Sequence, residues 1–260
     1  MTANSDRFLT AFGAIEFYLR ALTGEPKRTR FYTMVDKAAE INAAVRRYAD
    51  DLKEFADLRN AIIHERTDEH VIAEPNDLAV CQIEHIQRLL EHPPRVIPVF
   101  QKQVLSMQAA DPIAAAAYAM LVNNYSQLPI YEDREFSGLL TTEGITRWLG
   151  RCAPQGMVNL EAVTIAEVLA CRCEQPGQNY RFFSREETVF AALEAFQACE
   201  QCGQRLDAIL ITERGSESES LLGIITIWDV PRIYEAMEDR AGAEVQPGEE
   251  ARTKSAPGRI

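Results

Sequence analysis

Side chains able to do chemistry are few in this chain of 260 residues, and they fall into three groups. The first is the run Leu58-Arg59-Asn60-Ala61-Ile62-Ile63-His64. Histidine titrates near neutral pH and arginine keeps its charge, so the run holds the residue types of proton transfer beside a fixed cation. On a helix Asn60 and His64 share a face, while Arg59 and His64 stand about 140° apart round the axis. The second group is a turn used twice, Gly138-Leu-Leu-Thr141 and Gly223-Ile-Ile-Thr226, the latter running on through Ile-Trp-Asp229. The third is cysteine: Cys171-x-Cys173 and Cys199-x-x-Cys202 together offer the ligand number of a zinc site. Cys199 and Cys202 fall at a helix end, where cysteine behaves as a small apolar side chain, so no metal site is expected. Cys81 and His85 lie one helical turn apart with no further ligand in sight. A phosphate-cradling glycine loop, a Gly-x-Ser-x-Gly elbow and a His-Glu-x-x-His pair are all absent from the sequence.

Charge limits what these groups can serve. The net charge is −12, and it is divided unevenly. Residues 1–93 carry 12 basic and 16 acidic side chains, residues 94–240 carry 12 and 20, and residues 241–260 carry 3 of each. That distribution argues against a broad footprint on duplex DNA, though not against a small local basic site. No apolar run approaches the roughly 20 residues of a membrane span, and Met1–Thr10 lacks a signal-peptide layout. A cytoplasmic protein with reduced thiols is the expectation.

The elements that must hold these groups differ between the two halves. Phe8, Phe12, Ile15, Leu19 and Leu22 mark one helical stripe that closes near Gly24. A second stretch is predicted from Phe31 through Val45, continued by a stripe of Tyr48, Leu52, Phe55, Leu58 and Ile62. Asn76 or Asp77 can cap a helix carrying Val80, Ile83, Ile86 and Leu90. Residues 1–93 are therefore expected to be an all-helical bundle. After Pro94, strands are predicted at Val96–Phe100 and Val104–Leu105, a helix at Pro112–Val122, strands at Leu128–Tyr131 and Phe136–Leu140, and a helix at Thr142–Leu149. The order then repeats: strand Arg181–Ser184, helix Thr188–Cys199, strands Leu206–Glu213 and Leu221–Ile227, helix Asp229–Met237. The fold class expected is α+β, a helical bundle followed by two βαββα repeats at about 94–152 and 153–240 that pack on each other. Residues 241–260 are small and polar and are expected to be a disordered tail. Trp148 and Trp228 sit at the repeat ends and are expected to be packing residues.

The tandem at 94–240 resembles a pair of CBS domains, a Bateman module. The residues that carry the resemblance are SQLPIYEDREFSGLLTTEGI in the first copy. In the second they are LDAILITERGSESESLLGIITIWDV, preceded by RFFSREETVFAALEAFQ. The family signature, Gly-h-h-Thr-x-x-Asp with h apolar, is met in full by Gly223 to Asp229. The resemblance implies that Thr226 contacts phosphate, that Asp229 accepts from ribose hydroxyls, and that adenine lies between the repeats. A carboxylate at a helix start suits a ribose diol, and a helix N-terminus beside a hydroxyl suits phosphate. The first copy keeps Thr141 but has Gly144 where the Asp belongs, with Glu143 one position early. One site, around Thr226 and Asp229, is expected, with Thr141 marking its weaker counterpart. The ligand implied is AMP, ADP, ATP, a related adenosyl compound or a cyclic dinucleotide, and no cofactor is required. As bare residues, Asp229 equally caps a helix and Thr226 ends a strand.

The helical half resembles the HEPN superfamily, whose ribonucleases carry Arg, a polar residue, three further residues and His. Arg59, Asn60 and His64 fit that spacing near the close of a long helix. The resemblance implies metal-independent RNA cleavage: His64 takes the proton from a 2′-hydroxyl, Arg59 stabilises the phosphorane, and a 2′,3′-cyclic phosphate results. It also implies a homodimer, which brings two motifs to one cleft. Without catalysis, Arg59 pairs with Asp57, Glu65 or another nearby acid, His64 caps the end of its helix, and the bundle is a binding or dimerisation module. The function expected is regulatory, a CBS pair sensing an adenine nucleotide and modulating the helical half. The alternatives are a nucleotide-regulated endoribonuclease, with RNA as partner, and a dimeric scaffold without ligand.

Overall fold

The computed structural model describes residues 4–64, 74–171 and 179–238. The fold is α+β, a helical region followed by two three-stranded sheets with flanking helices.

The helical region contains α1 (Asn4–Thr23), α2 (Phe31–Ile41), α3 (Ala43–Arg47), α4 (Ala49–His64) and α5 (Asp77–Glu91). The expected stripe on α1 is the buried one, with Phe8, Ala11, Phe12, Ile15 and Leu19 at 5% exposure or less. Gly24, at φ +67, ends the helix by donating to the Arg20 carbonyl at 2.9 Å. The single helix expected from Phe31 to Val45 is two helices. Asn42 is extended (φ −134, ψ 116), closes α2 through its N–H on the Ala38 carbonyl, and accepts from Val45 N at 3.0 Å to start α3. An Asx side chain here outcompetes the helix it would otherwise continue. Asn76 caps α5, accepting from Ala79 N at 2.8 Å, as the sequence allows.

The second half begins with a short turn, α6 (Val96–Val99), closed by Phe100 N on the Val96 carbonyl at 2.8 Å with Ile97 extended inside it, where a strand was expected. The β-branched pattern is overridden by Pro98, which has no N–H to give a ladder. Val104–Leu105 likewise forms no strand, and the first is β1 (Met107–Gln108). There follow α7 (Ile113–Asn123), β2 (Gln127–Glu132), β3 (Glu135–Thr141), α8 (Thr142–Cys152) and α9 (Ile165–Ala170). The second copy is β4 (Tyr180–Ser184), α10 (Val189–Gln201), β5 (Ala208–Thr212), β6 (Gly223–Ile225) and α11 (Val230–Glu238). The strand expected at Leu221–Ile227 is shorter because Thr226 already starts a 3-10 turn, Ile227–Asp229, that leads into α11. Each sheet runs in chain order, first pair parallel and second antiparallel. The two copies are therefore βαββα units of one topology.

The connectors are exchanged between the copies. Before the first repeat, Val96 N donates to Glu187 O at 2.8 Å and Lys102 N to Leu222 O at 3.1 Å, so that segment bonds the second repeat. Between the repeats, Ile165 N donates to Asp111 O and Ala166 N to Ala109 O, both at 2.9 Å, so that segment bonds the first. The apolar cores follow suit. The first repeat has its own, around Ile113, Met120, Leu128, Ile130, Leu140 and Trp148. The helical region and the second repeat share one, in which Phe8, Ile15, Val45 and Leu90 are continuous with Phe100, Val189, Phe190, Leu193 and Ile233.

Candidate functional site

Thr226 and Asp229 meet at the start of α11, where two requirements coincide. The N–H groups opening a helical turn need acceptors, and a short side chain three residues on can supply one. Asp229 Oδ2 accepts from Thr226 N at 2.7 Å and from Thr226 Oγ1 at 3.0 Å, while Asp229 N donates to Thr226 O at 2.9 Å. The carboxylate is thus held in place with one oxygen engaged. Its other oxygen, Oδ1, has no hydrogen-bond partner among the described residues. Both residues are half-buried. A fixed carboxylate with one unengaged oxygen beside a helix start has the acceptor chemistry that a diol recognises.

Thr141 occupies the matching position in the first repeat. It is 5% exposed, and its Oγ1 accepts from Gly144 N at 3.0 Å to cap α8. Glu143 turns outward instead of back to that cap. It accepts from Arg147 Nε at 2.9 Å and also pairs with Arg205 of the second repeat. Arg205 bridges on to Asp207 Oδ1 at 2.6 Å, and Gln127 Nε2 donates to the Asp207 carbonyl at 3.2 Å. The first copy's acid therefore joins the two repeats through an ion-pair chain.

The glycines of the two turns are required for different reasons. A Cβ on Gly223 would stand 2.2 Å from the Phe100 carbonyl oxygen, because the exchanged connector crosses there. A Cβ on Gly138 would make only ordinary contact with the Leu169 side chain, at 3.6 Å, but the residue sits at φ +154.

Between the sheets lies an aromatic cluster that the sequence reading did not single out. Phe136 stands edge-on to Tyr180 and to Phe182, each at 5.1 Å between ring centroids, and to Tyr131 at 5.7 Å. The available signal was the period-two spacing of Tyr180 and Phe182 on one face of β4. Trp148 is buried at 6% exposure, as expected. Trp228 is 80% exposed and is not a packing residue of this chain. The equivalent of Trp148, seven residues past the turn threonine, is Ile233, which is fully buried.

On α4, Arg59 is half-buried, Asn60 is exposed, and Arg59 Nη1 donates to Asn60 Oδ1 at 3.3 Å. Arg59 forms no ion pair among the described residues. Asp57 instead accepts from the Tyr32 hydroxyl at 2.5 Å, which holds that phenol above its usual range. The backbone of α4 runs through His64, and Glu65 lies outside the described residues. Cys173 also lies outside them. Cys171 is half-buried, Cys199 is buried beneath Arg181 Nη2 at 3.4 Å, and Cys202 is exposed. No group of three or more His, Cys, Asp or Glu among the described residues is arranged to hold a metal ion. No helix among them is long and apolar enough to cross a membrane.

Two open clefts border the second repeat, one of about 640 Å³ between α3 and α10, the other of about 570 Å³ beside β4. Neither is lined by Thr141, Thr226 or Asp229.

The chain is similar in part to known proteins. The family model of the CBS domain matches residues 96–151. Among solved structures, the chain is similar to the CBS domain pair of protein MJ0100 in complex with 5′-methylthioadenosine and S-adenosyl-L-methionine. The identity is 16%, with 56% of this chain and 99% of that chain covered, and the TM-score is 0.40. It is similar to the CBS domain of a CBS domain containing membrane protein from Sphaerobacter thermophilus, at 14% identity, 54% and 88% coverage, and TM-score 0.39. A third is the CBS-domain containing protein ATU1752 from Agrobacterium tumefaciens, at 15% identity, 52% and 89% coverage, and TM-score 0.36. No curated protein matches the chain.

Proposed function

We propose that this protein is a nucleotide-responsive regulator. Residues 94–240 form a CBS pair that takes an adenine nucleotide or related adenosyl ligand at the Thr226–Asp229 turn. Residues 1–93 form the helical output domain; the tail expected at 241–260 lies outside the described residues. The observation that carries this reading is the Asp229 carboxylate, fixed through one oxygen and unengaged at the other. In the first repeat the same turn holds Gly144, and its acid is taken up by Arg147 and Arg205, which favours one working site over two. The shared core of the helical region and the second repeat gives ligand binding a route to the output, because a ligand that prefers one packing of α10 and α11 biases both. Calorimetric titration with AMP, ATP, S-adenosylmethionine and a cyclic dinucleotide tests it. Saturable binding of one supports the reading, and the absence of binding by all four refutes it.

A second reading rests on Arg59, whose guanidinium has no acidic partner among the described residues. It makes the helical region a metal-independent endoribonuclease using Arg59, Asn60 and His64, acting as a homodimer in the cytoplasm. Cleavage of RNA in the presence of chelator, lost in His64→Ala, supports this reading. Equal cleavage by both proteins points to a contaminant and refutes it.

A further inference from the structure

The cleft of about 640 Å³ between α3 and the second repeat has a chemistry that neither candidate site uses. Its floor is apolar: Phe190 and Leu193 of α10 are 2% and 5% exposed, and Phe183 of β4 is half-buried. Its rim carries three guanidiniums, Arg46 and Arg47 at the end of α3 and Arg181 on β4, against one carboxylate, Glu194. Arg46 is already spent. It pairs with Glu194 and donates to the Ala39 and Glu40 carbonyls at 2.6 and 2.8 Å. Arg47 makes no ion pair or side-chain hydrogen bond among the described residues. Arg181 donates to Cys199 Sγ at 3.4 Å, and sulfur is a weak acceptor. Three positive charges less one negative leave +2 at the rim, in a chain whose net charge is −12.

A concave site with cationic rim and apolar floor concentrates small anions, the low-dielectric wall strengthening the field of the unpaired cations. The volume lies within the roughly 300–1,000 Å³ of small-molecule sites. We propose that this cleft binds a small aromatic anion bearing a phosphate or carboxylate. The ring lies against Phe183, and the anionic group is held by Arg47 and Arg181 through charge-assisted hydrogen bonds. Gln197 and Gln201, one turn apart on α10, offer amides to whatever polar edge the ring carries. Because α3 belongs to the helical region and β4 and α10 to the second repeat, the ligand clamps the two together and stabilises their packing by mass action. This site is separate from the Thr226–Asp229 turn and stands whether or not a nucleotide binds there.

The test uses the full chain and the fluorescent aromatic sulfonate 8-anilinonaphthalene-1-sulfonate as probe. The wild type gives a saturable fluorescence rise, which phenyl phosphate or benzoate displaces, and the stronger competitor identifies the preferred head group. Arg47→Glu/Arg181→Glu weakens the probe at least about tenfold, the worth of one charge-assisted bond. Lys27→Glu/Arg134→Glu alters the net charge equally on exposed turns and leaves affinity within about twofold. Arg47→Glu alone, on a helix end outside the sheet, weakens binding in the same direction should the double variant fold poorly. Glu194→Gln raises the rim charge and tightens binding. Equal weakening by both double variants, an unsaturable signal, displacement by neither competitor, or weaker binding by Glu194→Gln overturns the proposal.

Discussion

Replacing Gly223 by alanine tests the exchange of connectors that underlies the whole second half. The new Cβ would stand 2.2 Å from the Phe100 carbonyl oxygen and 3.2 Å from its carbonyl carbon. The oxygen distance is roughly 1 Å inside an ordinary carbon–oxygen contact. Both atoms are backbone, so no side chain can swing away. On the other flank Ile211 Cδ1 stands 3.4 Å from the same point. The connector must move, and it takes with it the Gln101–Gly223 bridge and the 3.1 Å bond from Lys102 N to Leu222 O. Overpacking costs about 1–3 kcal/mol and one lost backbone bond about 1 kcal/mol, so the variant loses about 2–4 kcal/mol. Gly138→Ala is the comparator. Its nearest neighbour is Leu169 Cδ1 at 3.6 Å, so only the backbone at φ +154 resists, at about 1–2 kcal/mol. Urea unfolding of the three proteins reads the difference as a midpoint shift at unchanged slope. A Gly223→Ala protein within about 0.5 kcal/mol of wild type would refute the crossing of the connector over β6.

The two tryptophans separate cleanly. Trp148→Ala should cost about 3–5 kcal/mol, while Trp228→Ala stays within about 0.5 kcal/mol, and acrylamide should quench mainly Trp228. The chain from Glu143 through Arg205 to Asp207 joins the repeats through an arginine whose side chain is 68% exposed. A double-mutant cycle of Glu143→Gln and Arg205→Ala should therefore return no more than about 1 kcal/mol of coupling. Burial raises the Tyr48 phenol above its usual range, with Asp51 and Glu238 adding to the rise and Arg47 opposing it. A raised folded value favours the neutral phenol, so its contribution is complete below about pH 10 and is lost as pH climbs through the folded value. Tyr48→Phe should remove that part of the alkaline decline in stability, and an unchanged decline would show that Tyr48 does not titrate as argued.

What could be read in the sequence was set by how locally each feature is determined. The helical stripes and the βαββα order could be read, because hydrophobic period and turn residues fix them within a few positions. The cap at Asn76 was legible for the same reason, and α9 carries a comparable signal, since Thr164 accepts from Glu167 N at 3.4 Å across a Thr-x-x-Glu spacing. Val96–Phe100 misled because its β-branched residues pack against the other repeat, which no local pattern records. Trp228 misled for the converse reason, an apolar side chain left in solvent by a turn that faces outward. At the candidate site, the sequence supplied Thr226 and Asp229 as types. Only the fold shows that one carboxylate oxygen is engaged as a cap, and that the first copy's Glu143 is drawn away by an arginine 62 residues distant.

Asp229 is where cap and ligand group can be told apart, since Asn keeps an acceptor for Thr226 N and loses the charge, whereas Ala loses both. Calorimetric titration of wild type, Asp229→Asn and Asp229→Ala with the tightest of the four adenosyl compounds is therefore the decisive measurement. The account predicts that Asp229→Asn keeps the stability of wild type within about 1 kcal/mol yet binds at least about tenfold more weakly. It predicts that Asp229→Ala loses both. Superimposable isotherms for all three proteins would contradict it and leave Asp229 a helix cap and nothing more.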